Sequence, residues 1–282
     1  MQQLRILLVN DDGIGASGLR SLYRAMRPHA SLTVVAPSTQ KSGSGLGTTL
    51  IQPLQIREQR YFDGTTAYSV NGTPSDCVKL ALIHLFAHSP PDLILSGINH
   101  GSNAGKTVLY SGTIGAVIEG MFRNQIPGIA FSSCEEDLLD YSCLEPYILP
   151  IVSYNLQHPP PKDSFLNVNF PSQSAFPIRG MQLTKQGKGF WTDTHEKSAC
   201  PKGAHSYQLT GEWKKEEEET GSDVHALENG YISVAPIHVG DLTDHYHYNS
   251  HQELFATHFK SFLVGQANPT SERTPYKALL FP

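Results

Sequence analysis

Cysteine is scarce. Cys77, Cys134, Cys143 and Cys200 are the only four in 282 residues, and none stands in CxxC spacing. That excludes a Cys-based zinc site and a disulfide-stapled fold, and it reads as reduced thiols in a cytoplasmic protein. No run of about 18 apolar residues occurs, and no cationic stretch followed by an apolar one opens the chain, so neither a membrane span nor a signal peptide is expected. Positive charge is also short. With 21 Lys and Arg against 26 Asp and Glu the formal net charge is -5, which argues against a surface that grips a nucleic-acid polymer. No internal repeat is visible. The one dense charge run, KKEEEETGSD at 214 to 223, reads as a solvated loop tip.

What is present is an alternation of apolar runs with helical stripes. LRILLV at 4 to 9 is a strand buried on both faces. Leu19, Leu22, Tyr23 and Met26 then fall on one helical stripe, with Ser17 as cap and Pro28 beyond its end. LTVVAP at 32 to 37 completes a βαβ unit. TAYSV at 66 to 70 is a short strand, and Thr73, Pro74 and Asp76 mark the start of a helix. DLILSG at 92 to 97, a helix over 111 to 122 and GIAFSS at 128 to 133 continue the pattern. The spacing predicts an α/β fold, a Rossmann-like, doubly wound, mostly parallel sheet, with its core in residues 1 to 133. Residues 134 to 282 are expected to complete that core and to carry a C-terminal β-hairpin or extended arm, the two parts making one domain. FLNVNF, GMQLT, HSYQLTGEW and GYISVAPIHV supply the strand-like segments, and 250 to 263 a terminal helix.

Ligands of open α/β sheets bind beyond the carboxyl ends of the strands. Three loops stand out there. Asp11 and Asp12 follow the first strand; PSTQKSGSGLG follows the second, with Ser42 and Gly43; INHGSNAG follows DLILSG, with Asn99 and Asn103. An isolated Asp after a strand most often caps a helix or makes a turn. Two adjacent acids repel, however, unless a cation bridges them. Two carboxylates, a Ser hydroxyl and an Asn carbonyl form a hard oxygen set suited to Mg2+ or Mn2+. Such an ion supplies the positive field that the chain lacks, and its natural substrate is a phosphate. Ser111, Gly112 and Thr113, at the start of the helix over 111 to 122, add free amides for an anion.

Three look-alikes fail. GSNAGKT at 101 to 107 is one residue short of a P-loop, GSGLG at 43 to 47 lacks the GxGxxG spacing, and SGIN at 96 to 99 lacks the phosphoacceptor Asp of a receiver domain. The thirteen histidines, including those in DHYHYNSHQ at 244 to 252, fit a surface or interface better than a metal site.

Taken in order, NDDG, AP followed by Ser42 and Gly43, NGTPSDCVKLAL, SGINHGSN, YSGTIGAVIEG, FLNVNFP and SDVHALENGYISVAP closely resemble the SurE family of nucleotidases, over residues 4 to about 237. The resemblance implies a SurE-like α/β fold and metal-dependent hydrolysis of nucleoside 5'- and 3'-monophosphates, with some activity on short polyphosphate. It also implies homodimers or homotetramers built by exchanged C-terminal segments. Carried over, the ligands of one Mg2+ or Mn2+ per subunit, and so the catalytic set, are Asp11, Asp12, Ser42 and Asn99. Gly43, Asn103, Ser111, Gly112 and Thr113 are the expected substrate-binding residues. Ser75 and Ala235 depart from the family's usual Ala and Thr. The alternative from another class is a non-catalytic sensor that binds nucleotides with the help of the metal.

Overall fold

The structure is a computed structural model that describes residues 3–135, 140–172, 177–198, 205–214 and 216–267. Cys200, and Phe262 of the expected terminal stripe, lie outside what is described, the latter for its side chain.

The chain opens with β1 (Arg5–Val9), α1 (Ser17–Met26) and β2 (Ser31–Pro37), the expected βαβ unit. β1 pairs in parallel with β2 on one side and with β5 (Leu93–His100) on the other. Its side chains alternate between the two faces, and both faces are buried. Ile6 and Leu8 join Leu19, Leu22 and Met26 of α1 in one apolar cluster, while Leu7 and Val9 join Val78 of α2 (Pro74–Leu80) and Ala116 of α3 (Gly112–Asn124) in another. A strand covered on both sides has no use for a polar face, which explains the unbroken apolar run.

The hairpin of β3 (Ile56–Arg60) and β4 (Thr66–Val70) lies outside β2. β6 (Gly128–Ser133) and β7 (Ser164–Phe170) continue the parallel side, and β11 (Tyr231–His238) and β8 (Gly180–Leu183) close the far edge. The resulting nine-stranded order is β3-β4-β2-β1-β5-β6-β7-β11-β8. The chain leaves β1 toward β2 and later returns to β5 on its other flank, so the carboxyl end of β1 is a topological switch point, where a crevice opens.

Several elements depart from the sequence reading. Ser17 is the first residue of α1 rather than its cap; Ala16 holds that position with no side-chain hydrogen bond. FLNVNF, read only as a strand-like segment with hairpin or extended-arm character, is β7, paired on both sides within the sheet. The sheet therefore runs on beyond residue 133. The hairpin consists of β9 (Phe190–Ser198) and β10 (Ser206–Lys214), held by an antiparallel ladder and an edge-on Trp191–Trp213 contact with centroids 5.7 Å apart. α4 (Glu145–Gln157) and α5 (Asp223–Glu228) were not foreseen. The chain divides into a unit of residues 1–240 and one of residues 241–282. The second contains α6 (His245–Ala267), longer than the 250 to 263 expected, with His247 and His251 stacked one turn apart.

Candidate functional site

The loop after β1 is shaped by Asn10, which is fully buried and closes a turn on Gly13: Asn10 Nδ2 donates to Gly13 O at 3.0 Å and Gly13 N to Asn10 Oδ1 at 3.2 Å. Gly13 sits at φ +102°, a conformation that L side chains rarely adopt. This turn leaves Asp11 and Asp12 at the strand end with separate surroundings. Asp11 is 3% exposed, accepts a hydrogen bond from Thr113 Oγ1 and offers its carbonyl to Lys41 N at 2.7 Å. Asp12 Oδ2 accepts from His100 N at 3.0 Å.

Both acids are pushed up from the ordinary 3.8, and burial is the main cause. The Asp11 carboxyl rises to about 6; the Thr113 hydroxyl and amide oppose the rise and the Asp12 charge adds to it. At Asp12 the His100 amide opposes it. No lysine or arginine lowers either carboxyl. Beside Asp12, the Tyr141 phenol is pushed up to about 12 by burial and by the nearby acid.

The glycine-rich loop after β2 is fastened at both ends. Lys41 N binds Asp11 O, and Gly45 N donates to Tyr110 O at 3.0 Å. Ser42 is exposed, with its Oγ accepting from Gln40 Nε2 at 2.9 Å, and Gly43 is exposed with φ +72°. Asn99, 8% exposed, spends its amide on Gly101 O at 2.7 Å, which leaves the carbonyl oxygen for a ligand. Its neighbour is the same His100 that binds Asp12. Asp11, Asp12, Ser42 and Asn99 thus stand on three strand ends stitched together by single hydrogen bonds.

α3 faces them. Ser111 caps it by accepting from Ile114 N at 3.2 Å, so its ordinary capping role is real. A Cβ on Gly112 would lie 2.6 Å from Ser44 Oγ and 2.9 Å from Asp11 Cβ. Only glycine lets the amino end of a 13-residue helix stand against the acid. Thr113 is fully buried and its hydroxyl is committed to Asp11, so this residue supports the acid more than it meets a substrate. Asn103 is buried in an amide network: its Nδ2 donates to Ser132 Oγ at 2.7 Å, its N to Asn169 Oδ1 at 2.8 Å, and Asn167 Nδ2 donates to its carbonyl at 2.9 Å. Sequence reasoning missed Asn167 and Asn169, although their alternation in FLNVNF, polar positions within a buried strand, was the available signal.

The donor set fits a hard divalent cation. Among the described residues no three His, Cys, Asp or Glu side chains converge, so a zinc-type cluster is absent there. What these neighbouring loops carry is oxygen: two carboxylates that no lysine or arginine lowers, with only His100 beside Asp12, the Ser42 hydroxyl, the Asn99 carbonyl, and the buried Ser44 Oγ, which has no hydrogen-bond partner.

Comparison with known proteins places the chain in a family. The family described as Survival protein SurE matches residues 6–193. The chain is 42% identical over 254 residues to 5'-nucleotidase SurE of Protochlamydia amoebophila, covering 89% of this chain and 97% of that one. It is 41% identical over 247 residues to 5'-nucleotidase SurE of Bacteroides fragilis, covering 86% and 94%. The crystal structure of the SurE protein from Aquifex aeolicus superposes with a TM-score of 0.74 at 35% identity, over 89% of this chain and 99% of that one. With its parallel sheet, its acid pair at the switch point and relatives matched along most of its length, this chain belongs to the SurE family.

Proposed function

We propose that the chain is a phosphomonoesterase that hydrolyses nucleoside 5'-monophosphates, and 3'-monophosphates as well, to nucleoside and phosphate. The observation that carries this is Gly112: its bare Cα brings the amino end of α3 against the buried Asp11 carboxylate, so amides that favour an anion and acids that favour a cation face one point. An anion bound there needs a positive partner on the acid side, and the adjacent acids need one too.

The residues that would hold a single Mg2+ or Mn2+ are Asp11, Asp12, Ser42 and Asn99. Such an ion supplies Lewis acidity toward the phosphoryl group and toward water. The chain does the rest. The amide of Gly112 at the start of α3, and the open backbone at Gly43, bind and orient the phosphate. Asn103 is fixed from three sides by Ser132, Asn167 and Asn169, which steadies the loop after β5 beside the substrate. Thr113 and His100 N keep the two carboxylates in place. With a divalent cation bound both carboxylates would be ionised, and either could then accept the proton of an attacking water. The relatives named 5'-nucleotidase support this reading.

We further propose that residues beyond 133 complete the core and carry an arm through which copies associate as dimers or tetramers, in the cytoplasm. No helix among the described residues is long and apolar enough to cross a membrane.

The test is phosphate release from AMP, GMP and CMP with and without EDTA. Turnover abolished by the chelator and restored by Mg2+ or Mn2+, together with loss of activity in Asp12→Asn, is the expected result. Undiminished turnover in EDTA removes the metal, and saturable binding without any hydrolysis makes the protein a sensor instead.

A further inference from the structure

Tyr110 stands between Leu109 and the cap of α3. Its backbone is held from two sides, by Gly45 N donating to Tyr110 O at 3.0 Å and by Tyr110 N donating to Thr107 O at 3.0 Å. Its side chain is left in the open, at 70% exposure, beside Leu109 at 75%. Leu46, 45% exposed, completes an apolar rim, because the glycine loop runs past this point, with the Cβ position of Gly45 3.5 Å from Leu109 O. Two residues after Tyr110 comes Gly112, against Asp11. An exposed aromatic ring is therefore carried by a fixed backbone two residues before the amide assigned to the phosphate.

The rim at His100 offers a poorer surface. His100 is exposed, but its Nδ1 lies 3.4 Å from Tyr141 OH and its backbone N is bound to Asp12, so the ring already has a neighbour.

We infer that Tyr110 is the stacking platform for the nucleobase, a specificity-determining residue for this site. The inference rests on the phosphatase reading above and adds where the rest of the substrate goes. Every nucleobase has a π face, so a platform of this kind tolerates all of them and favours the larger purines, unlike a set of hydrogen bonds to base edges.

Steady-state kinetics on AMP and on ribose 5-phosphate, the same ester without a base, tests it. Tyr110→Ala is expected to raise KM for AMP about tenfold with kcat nearly unchanged, and to shift ribose 5-phosphate less than about twofold, while Tyr110→Phe keeps the wild-type KM because it keeps the ring. Equal losses on both esters, with or without a changed elution volume, overturn the inference, because Tyr110 then shapes the phosphate site or is covered by a second copy. Loss of AMP affinity in His100→Ala and not in Tyr110→Ala places the base on the other rim and also overturns it. If the wild type hydrolyses neither ester, the phosphatase reading fails by itself. Calorimetric titration with AMP and with ribose 5-phosphate then judges Tyr110 separately: a wild-type preference for AMP that Tyr110→Ala removes supports the platform, and one that persists ends it.

Discussion

At the scale of single residues, the site stores unfavourable electrostatics. Because the carboxyl of Asp11 rises from 3.8 to about 6 on folding, the folded chain holds that proton more tightly than the unfolded chain. Its contribution to stability is therefore greatest below 3.8, declines as the pH climbs toward 6 and stays low above that. Asp11→Asn is accordingly expected to raise the thermal midpoint of the cation-free protein above pH 6, by a free energy on the order of 1 to 2 kcal/mol once the weakened Thr113 bond is set against it, and to flatten the dependence between the two values. Scanning calorimetry across that range in EDTA checks both. Activity is expected to move the opposite way, because the same substitution removes a proposed cation ligand. Gly112→Ala attacks the meeting of helix and acid directly: a methyl 2.6 Å from Ser44 Oγ forces α3 outward, and activity is expected to fall about 100-fold with the far-ultraviolet circular dichroism unchanged. The adjacent acids were readable from sequence because like charges side by side demand a reason. That Thr113 serves Asp11 was not, since the two are 102 residues apart.

At the scale of elements, α2 shows how a capped helix end also fixes a loop. Thr73 Oγ1 accepts from Asp76 N at 3.1 Å and donates to Gly47 O at 2.6 Å, while the Asp76 carboxylate takes Thr73 N at 2.9 Å, Thr49 N at 3.0 Å and Thr49 Oγ1 at 2.7 Å. Thr73→Ala is expected to cost about 1 kcal/mol, as cap removals do. Asp76→Ala is expected to cost more, roughly 2 to 3 kcal/mol, because it leaves the half-buried donors of Thr49 and Thr73 unpaired as well. Urea titrations of the two variants give the comparison. Thr73, Pro74 and Asp76 announced this helix, since the capping box is local chemistry. α4 announced nothing: Pro150 inside it works against a helix, which forms because Ile148, Ile151 and Val152 are buried in the same apolar cluster as Leu22 and Met26 of α1. β3 was equally silent, as an exposed polar edge that exists only by pairing with β4.

At the scale of the whole molecule, the hairpin and the site are joined at one carboxylate. Asp223 is fully buried and accepts from Gly105 N at 3.0 Å, on the substrate-side loop, and from Gly187 N at 2.8 Å, at the hairpin base, where Lys106 N also donates to Gly189 O at 2.9 Å. Asp223→Ala is therefore expected to speed hydrogen exchange at Gly105 and Gly187 together; protection lost at one amide alone would show that the two segments are held independently. The parallel sheet, the switch-point acids and the glycine loop were determined by the sequence itself, because burial on both faces, like-charge repulsion and turn geometry act over a few residues. Tertiary structure alone decided that FLNVNF is an inner strand, that Asn103 rests on Asn167 and Asn169, and that α3 meets Asp11 at Gly112. Those are contacts between segments far apart in the chain, and no local pattern encodes a distance that only folding closes.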